Sequence, residues 1–170
     1  MIPPNLPYKK YFLKPCEAGF IDKPSIFTTI LGSCVGVTMF HLPTKIAAIS
    51  HSLLPYGPGP SYCQPGCNTG FKYVDSSIKF MFEFFCKQNI NIKEISVKVF
   101  GGGDVTLPEE VIDRFDNLSV GRQNVEAAFG TLQEYGIYPV HNDVRGSNGR
   151  KIIFYTHNGD VFVKRVERVC

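Results

Sequence analysis

No stretch of this 170-residue chain approaches the run of about eighteen apolar residues that a membrane-spanning helix needs. The opening MIPPNLPYKKYF also lacks the apolar core of a secretory signal. Both absences argue against membrane insertion, and the cytoplasm is the expected location. Positive charge is scarce and scattered. Eighteen Lys and Arg against fifteen Asp and Glu leave a net charge of +3, and beyond short clusters such as Lys164-Arg165 there is no concentrated basic face, so nucleic acid is not an expected partner. Low-complexity runs and internal repeats are missing too. With 44% hydrophobic and 19% charged residues, the composition is that of one globular domain, 1–170. Its first ten residues hold three prolines and read as a loose leader.

The six cysteines, at 16, 34, 63, 67, 86 and 170, are even in number, yet a chain able to build its own core and carrying no secretory signal has no need of a disulfide frame. All six read as thiols. Cys63 and Cys67 have the spacing of half a zinc site, but no second pair of ligands accompanies them. Gly101–Gly103 are not followed by the Lys-Ser/Thr of a phosphate-binding loop. Neither a metal nor a cofactor is expected.

From Tyr11 to Ile21 a weakly extended pattern is broken at Pro15 and Gly19. SIFTTIL (25–31), VGVTMFH (35–41) and IAAISHS (46–52) are β-branched or alternating runs and read as strands, the last two joined as a hairpin across LPTK. Residues 53–72 are dense in Pro and Gly and read as an irregular loop. Apolar residues at 74, 78, 81, 82 and 85 predict a helix laid on a core. EISVKVFGGG alternates as a strand ending in a glycine turn, LPEEVIDRFDNL reads as a short helix or loop, and a helix from about Arg122 to Tyr135 is stopped by Gly136. IYPVHNDV, KIIFYT and DVFVKRV complete the strands, the last two forming a hairpin around Asn158-Gly159. Strands in hairpins outnumber helices. The class is α+β, a layered sandwich of mixed or antiparallel sheets with helices packed on the outer faces.

Within 32–36, G-S-C-V-G sets a cysteine between two glycines, the spacing of a nucleophile elbow with sulfur in place of a hydroxyl. A strand follows where that elbow requires a helix, so only the local glycine logic carries over: Gly32, Ser33 and Cys34 can turn backbone amides toward a substrate carbonyl. A thiol nucleophile needs a base, and there are four histidines, at 41, 51, 141 and 157. A hairpin loop at 41–44 sets residue 34 opposite 51. A loop at 42–45 sets 36 opposite 51 and leaves Cys34 its diagonal neighbour on the same face. Either register pairs Cys34 with His51, whereas His41 belongs to the turn and His141 and His157 have no such link. The competing readings are a small buried thiol and a strand histidine bonded to a nearby carbonyl. Arg122 and Asn124, at the start of the second long helix, can reach the site wall or simply pack there.

TTILGSCVGVTMF, AAISHSLLP, KYVDSSIKFMFEFF, FGGG, VGRQNVEAAFGTLQEYGI and NDVRGSNGRKIIFYTHNGDVFV together resemble the CheD family of chemoreceptor glutamine deamidases, in order and spacing from Thr28 to Val163. The resemblance implies a catalytic set of Cys34 as nucleophile, His51 as base and acid, and Thr28 orienting His51, with neighbouring Thr29 making that last choice depend on register. It implies a catalytic fold similar to that of cytotoxic necrotizing factor-type deamidases. Methyl-accepting chemotaxis receptors are the implied protein substrate, with receptor methylesterase activity and a CheC-like phosphatase partner in some members. A depressed thiol pKa at Cys34 is expected to accompany that role. The alternative is a non-catalytic adaptor binding receptors or a CheC-like protein. Two departures from the family pattern stand out: the Cys- and Pro-rich loop YGPGPSYCQPGCN, and Arg145 in DVRGSNGR where a second glycine is familiar.

Overall fold

Pro15 fixes φ at the second position of a tight turn across Lys14–Glu17, closed by the Glu17 amide on the Lys14 carbonyl (3.2 Å), and Cys16 takes the left-handed φ of 65° that the third position demands. This bend splits the extended N-terminal pattern into two strands, β1 (Lys9–Phe12) and β2 (Glu17–Ile21), which enter different sheets. The computed structural model describes residues 8–58, 68–105 and 119–166. Lys9 and Lys10, expected in the leader, therefore already belong to a strand. Cys63, Cys67, Cys170 and the segment LPEEVIDRFDNL lie outside the described residues; Cys16, Cys34 and Cys86 are free thiols.

The next three strands fall where the β-branched runs predict: β3 (Ser25–Leu31), β4 (Val35–His41) and β5 (Ile46–Ser52). A short 3-10 turn, Asn68–Lys72, leads into α1 (Val74–Lys87). Then come β6 (Ile95–Gly101) and α2 (Val120–Glu134), capped by the Ser119 hydroxyl accepting from the Arg122 amide and closed by Gly136 at φ 69°. The chain finishes with β7 (His141–Val144), β8 (Gly149–Tyr155) and β9 (Asp160–Val166). β7 is shorter than IYPVHNDV suggests, because Pro139 has no amide to give a ladder.

A four-stranded sheet runs β1-β3-β8-β9 and a five-stranded sheet β2-β5-β4-β6-β7, with the β1–β3 and β6–β7 pairs parallel and the rest antiparallel. Side chains alternate across each sheet and build two cores. Val35, Val37, Met39, Val97 and Val99 face Ile78, Met81, Phe85, Ala128 and Leu132 of the helices. From the other side of the five-stranded sheet, Phe40, Ala47, Ile49 and Phe100 meet Phe27, Leu31, Ile152 and Phe154 of the four-stranded sheet. The order of layers is thus sheet, sheet, helices. Among the described residues, helices cover one outer face and not both. On the uncovered face Ile30 and Phe162 are 48% and 58% exposed, and Lys164 keeps β9 compatible with water.

Candidate active site

The β4–β5 hairpin turns through residues 42–45, with Lys45 at φ 61° donating its amide to the His41 carbonyl (2.9 Å). This loop sets Gly36 opposite His51, the second of the two registers open to the sequence. Cys34 directly precedes β4, and by alternation it shares the face of Gly36 and His51, where it packs against the core between the sheets. His51 is 2% exposed. The other histidines lie apart: His41 bonds Thr44 in the hairpin turn (2.8 Å), His141 is exposed on β7, and His157 sits in the β8–β9 turn.

His51 Nδ1 lies 2.7 Å from the Thr29 hydroxyl, which donates its single proton to the Leu13 carbonyl at 2.7 Å. With that proton committed, Thr29 Oγ can only accept from Nδ1–H, which leaves Nε2 as the unprotonated nitrogen. Nε2 is buried and has no hydrogen-bond partner among the described residues. Nε2 is thus a buried acceptor on the face that His51 shares with Cys34. The residue oriented on His51 is Thr29 and not Thr28. Phe27, Thr29 and Leu31 point into the sandwich, which puts Thr28 on the half-exposed outer face opposite Ile153. Thr28 contributes only its carbonyl, which accepts from the Leu13 amide (2.9 Å).

Burial pushes the Cys34 thiol above its ordinary range. A hydrogen bond from its own backbone amide to the sulfur opposes the rise, and nearby Cys16 adds to it. The expected depression of this thiol is therefore overturned by desolvation. Burial also holds the His51 imidazole below its ordinary range, against the Leu13 carbonyl and the Glu17 carboxylate, which favour the proton. Both shifts favour the uncharged form, thiol and neutral imidazole alike.

The segment 32–34 is held by its carbonyls. Gly103 N–H donates to Gly32 O (2.8 Å) and Gly102 N–H to Cys34 O (2.8 Å), while Asn124 Nδ2 donates to Ser33 O (2.9 Å). The same Nδ2 also donates to the carbonyl of Leu53, two residues past His51 (2.8 Å). No described backbone carbonyl accepts from the Ser33 or Cys34 amide. The glycine run is the cradle for this segment. Gly101 takes φ 106°, and a Cβ there would lie 2.1 Å from the Cys34 oxygen. A Cβ on Gly121 of α2 would lie 2.7 Å from the Gly102 oxygen. Arg145 closes the rim, its amide on the Gly101 carbonyl (2.9 Å), at the left-handed φ of 69° that explains the familiar glycine. The sequence held a signal for Asn124: it is a polar residue on the buried stripe Gly121, Val125, Ala128, Leu132.

The layered α+β sandwich thus sets a cysteine at the entry to β4 on the same face as a buried histidine held by a threonine hydroxyl. The chain belongs to the CheD family. The family described as "CheD chemotactic sensory transduction" matches residues 58–165. A Geobacter sulfurreducens protein named "Probable chemoreceptor glutamine deamidase CheD 2" is 42% identical over 97% of this chain and 94% of its own length. One from Nitratidesulfovibrio vulgaris, "Probable chemoreceptor glutamine deamidase CheD", is 37% identical over 96% of this chain and 81% of its own. An Archaeoglobus fulgidus protein of the same name is 30% identical over 85% and 86%.

Proposed function

We propose that this protein is a chemoreceptor glutamine deamidase, with Cys34 as nucleophile, His51 as base and acid, and Thr29 as the residue that orients the imidazole. The observation that carries the reading is the buried His51 whose Nδ1 is tied to Thr29 and whose Nε2 is free on the face it shares with Cys34. Cys34 Sγ attacks the side-chain amide carbon of a receptor glutamine as its proton passes to His51 Nε2. The tetrahedral oxyanion forms beside the amides of Ser33 and Cys34, neither of which a described backbone carbonyl engages, with the turn at Gly32 exposing them. The C–N bond then breaks, Nε2–H protonates the departing nitrogen, and ammonia leaves a thioester. Water gives a proton to Nε2 and attacks that thioester. The thiolate departs, recovers the proton, and glutamate remains.

The same sequence with methanol as leaving group would hydrolyse a receptor methyl ester. The cytoplasm is the proposed location, with a CheC-like phosphatase as a further partner. Among the described residues no helix is long and apolar enough to cross a membrane. The fold similarity proposed to cytotoxic necrotizing factor-type deamidases draws support from the layered sheets that carry the Cys-His pair.

Incubating a receptor cytoplasmic fragment with the protein tests the reading: a gain of about one dalton at defined glutamines marks amide-to-acid exchange. A fragment that binds and keeps its mass would leave an adaptor instead. Thr29→Val should lower kcat by roughly tenfold to a hundredfold through loss of imidazole orientation, with Thr29→Ser restoring much of it and Thr28→Val close to wild type. Equal losses at the two threonines would contradict the orientation.

The pH profile follows from the neutral pair. Activity requires His51 unprotonated and Cys34 still carrying its proton, or the tautomeric ion pair, so one proton is shared between them. Burial lowers the first pKa from the ordinary 6.5 and raises the second from 9.0. The expected kcat/KM profile is a broad plateau whose acid limb lies below 6.5 and whose alkaline limb lies above 9.0. A narrow bell contained between those values would overturn it.

A further inference from the structure

Asn124 is fully buried, with both protons of its amide committed to carbonyls from opposite sides of the site, those of Ser33 and Leu53. Its Oδ1 is buried and without a partner among the described residues, a cost that a residue selected for packing alone would not carry. The Ser33–Cys34 peptide is planar and trans, so its carbonyl and its N–H point in opposite directions. Holding the Ser33 oxygen inward against α2 therefore turns the Cys34 N–H outward. That N–H lies beside the Cys34 sulfur, and the oxyanion of a carbonyl attacked by that sulfur develops on the adjoining oxygen. Gly102 and Gly103 pin the carbonyls on either side, so among the described residues the Ser33–Cys34 peptide is the unit of the turn held by a side chain.

We infer that Asn124 is the positioning residue of the oxyanion hole: it locks the Ser33–Cys34 peptide with its amide facing substrate, and through Leu53 it ties that peptide to the end of the strand that carries His51. The inference rests on the thiol-amidase reading but does not depend on which amide or ester is the substrate. A peptide free to flip would turn the Ser33 carbonyl toward the oxyanion, and acyl transfer would fail while the thiol itself stayed reactive.

Two reagents separate these effects at one sulfur. Acetylation of Cys34 by p-nitrophenyl acetate forms the S–C bond through a tetrahedral oxyanion and expels p-nitrophenolate. Alkylation by iodoacetamide displaces iodide at a saturated carbon and needs no oxyanion hole. Both rates can be read by mass at Cys34 in the folded protein. Asn124→Leu, and the isosteric Asn124→Asp should the first fail to fold, are expected to lower the ratio of acetylation to alkylation by about 10²–10³. Asn124→Ser, which keeps a donor, should recover part of it. An unchanged ratio, or two rates falling in parallel, would assign Asn124 a structural role only and overturn the inference. So would wild-type Cys34 that is alkylated but never acetylated. Rapid wild-type acetylation with no mass change on a receptor fragment would instead overturn the receptor substrate, and the variants' ratio would still decide for or against Asn124.

Discussion

Cys34→Ala is expected to abolish glutamine-to-glutamate conversion, by at least about 10⁴-fold, because no thioester can form and the remaining amides and His51 supply only residual catalysis. The fold should tolerate the change. Cys34 is only partly buried at the edge of the core between the sheets, so loss of its sulfur should cost about 1 kcal/mol. Cys34→Ser should be almost as inactive, since a hydroxyl is far harder to deprotonate and a neutral imidazole held below its ordinary range is a weak base for it. Receptor binding should survive in both variants, measured by co-sedimentation with a receptor fragment while mass spectrometry follows the glutamines. Wild-type turnover by Cys34→Ala would remove the nucleophile from the account.

Gly101→Ala should be the most damaging change that leaves every reactive group in place. Its φ of 106° is denied to alanine, and the new Cβ would fall 2.1 Å from the Cys34 oxygen and 3.2 Å from the Cys34 carbonyl carbon. Relief requires moving the peptide after Cys34. A loss of about 3 kcal/mol or more is expected, which for a domain of this size lowers Tm by roughly 6–12 °C. Deamidation should fall further than the folded fraction accounts for. Gly130→Ala is the matched control: it lies within α2 with nothing within 4 Å of its Cβ position, and a helical alanine there should add about 0.5–1 kcal/mol. If both variants melt and react like the wild type, the glycine run does not hold the Cys34 segment.

The hairpin bearing Cys34 and His51 was legible because VGVTMFH and IAAISHS are bounded by turn residues, and because any plausible loop brings residues 34 and 51 to one face. The loop length was not legible. It was decided by Lys45 accepting a left-handed conformation, which no pattern in the sequence announces. Thr28 and Thr29 could not be separated by alternation, since SIFTTIL carries an isoleucine or a larger apolar residue on both faces. The choice was made by the other sheet, where Phe27 and Leu31 meet Phe40 and Ile49. β1 and β2 were faint for a related reason. Both are short edge strands whose partners lie far along the chain, and the turn between them is made by a cysteine in a position usually held by glycine. Asn124 was visible as a polar residue among core positions, but its two acceptors come from residues 71 and 91 positions away.

Rapid acid quenching of the protein during turnover of a receptor peptide, followed by intact-mass analysis, tests the central claim most directly. The thioester mechanism predicts a transient species equal to protein plus peptide less one ammonia, mapped to Cys34, that gives way to the glutamate product. Glutamate accumulating at the wild-type rate with no adduct at Cys34, under quench conditions that preserve a synthetic acetyl-Cys34 thioester, would contradict it.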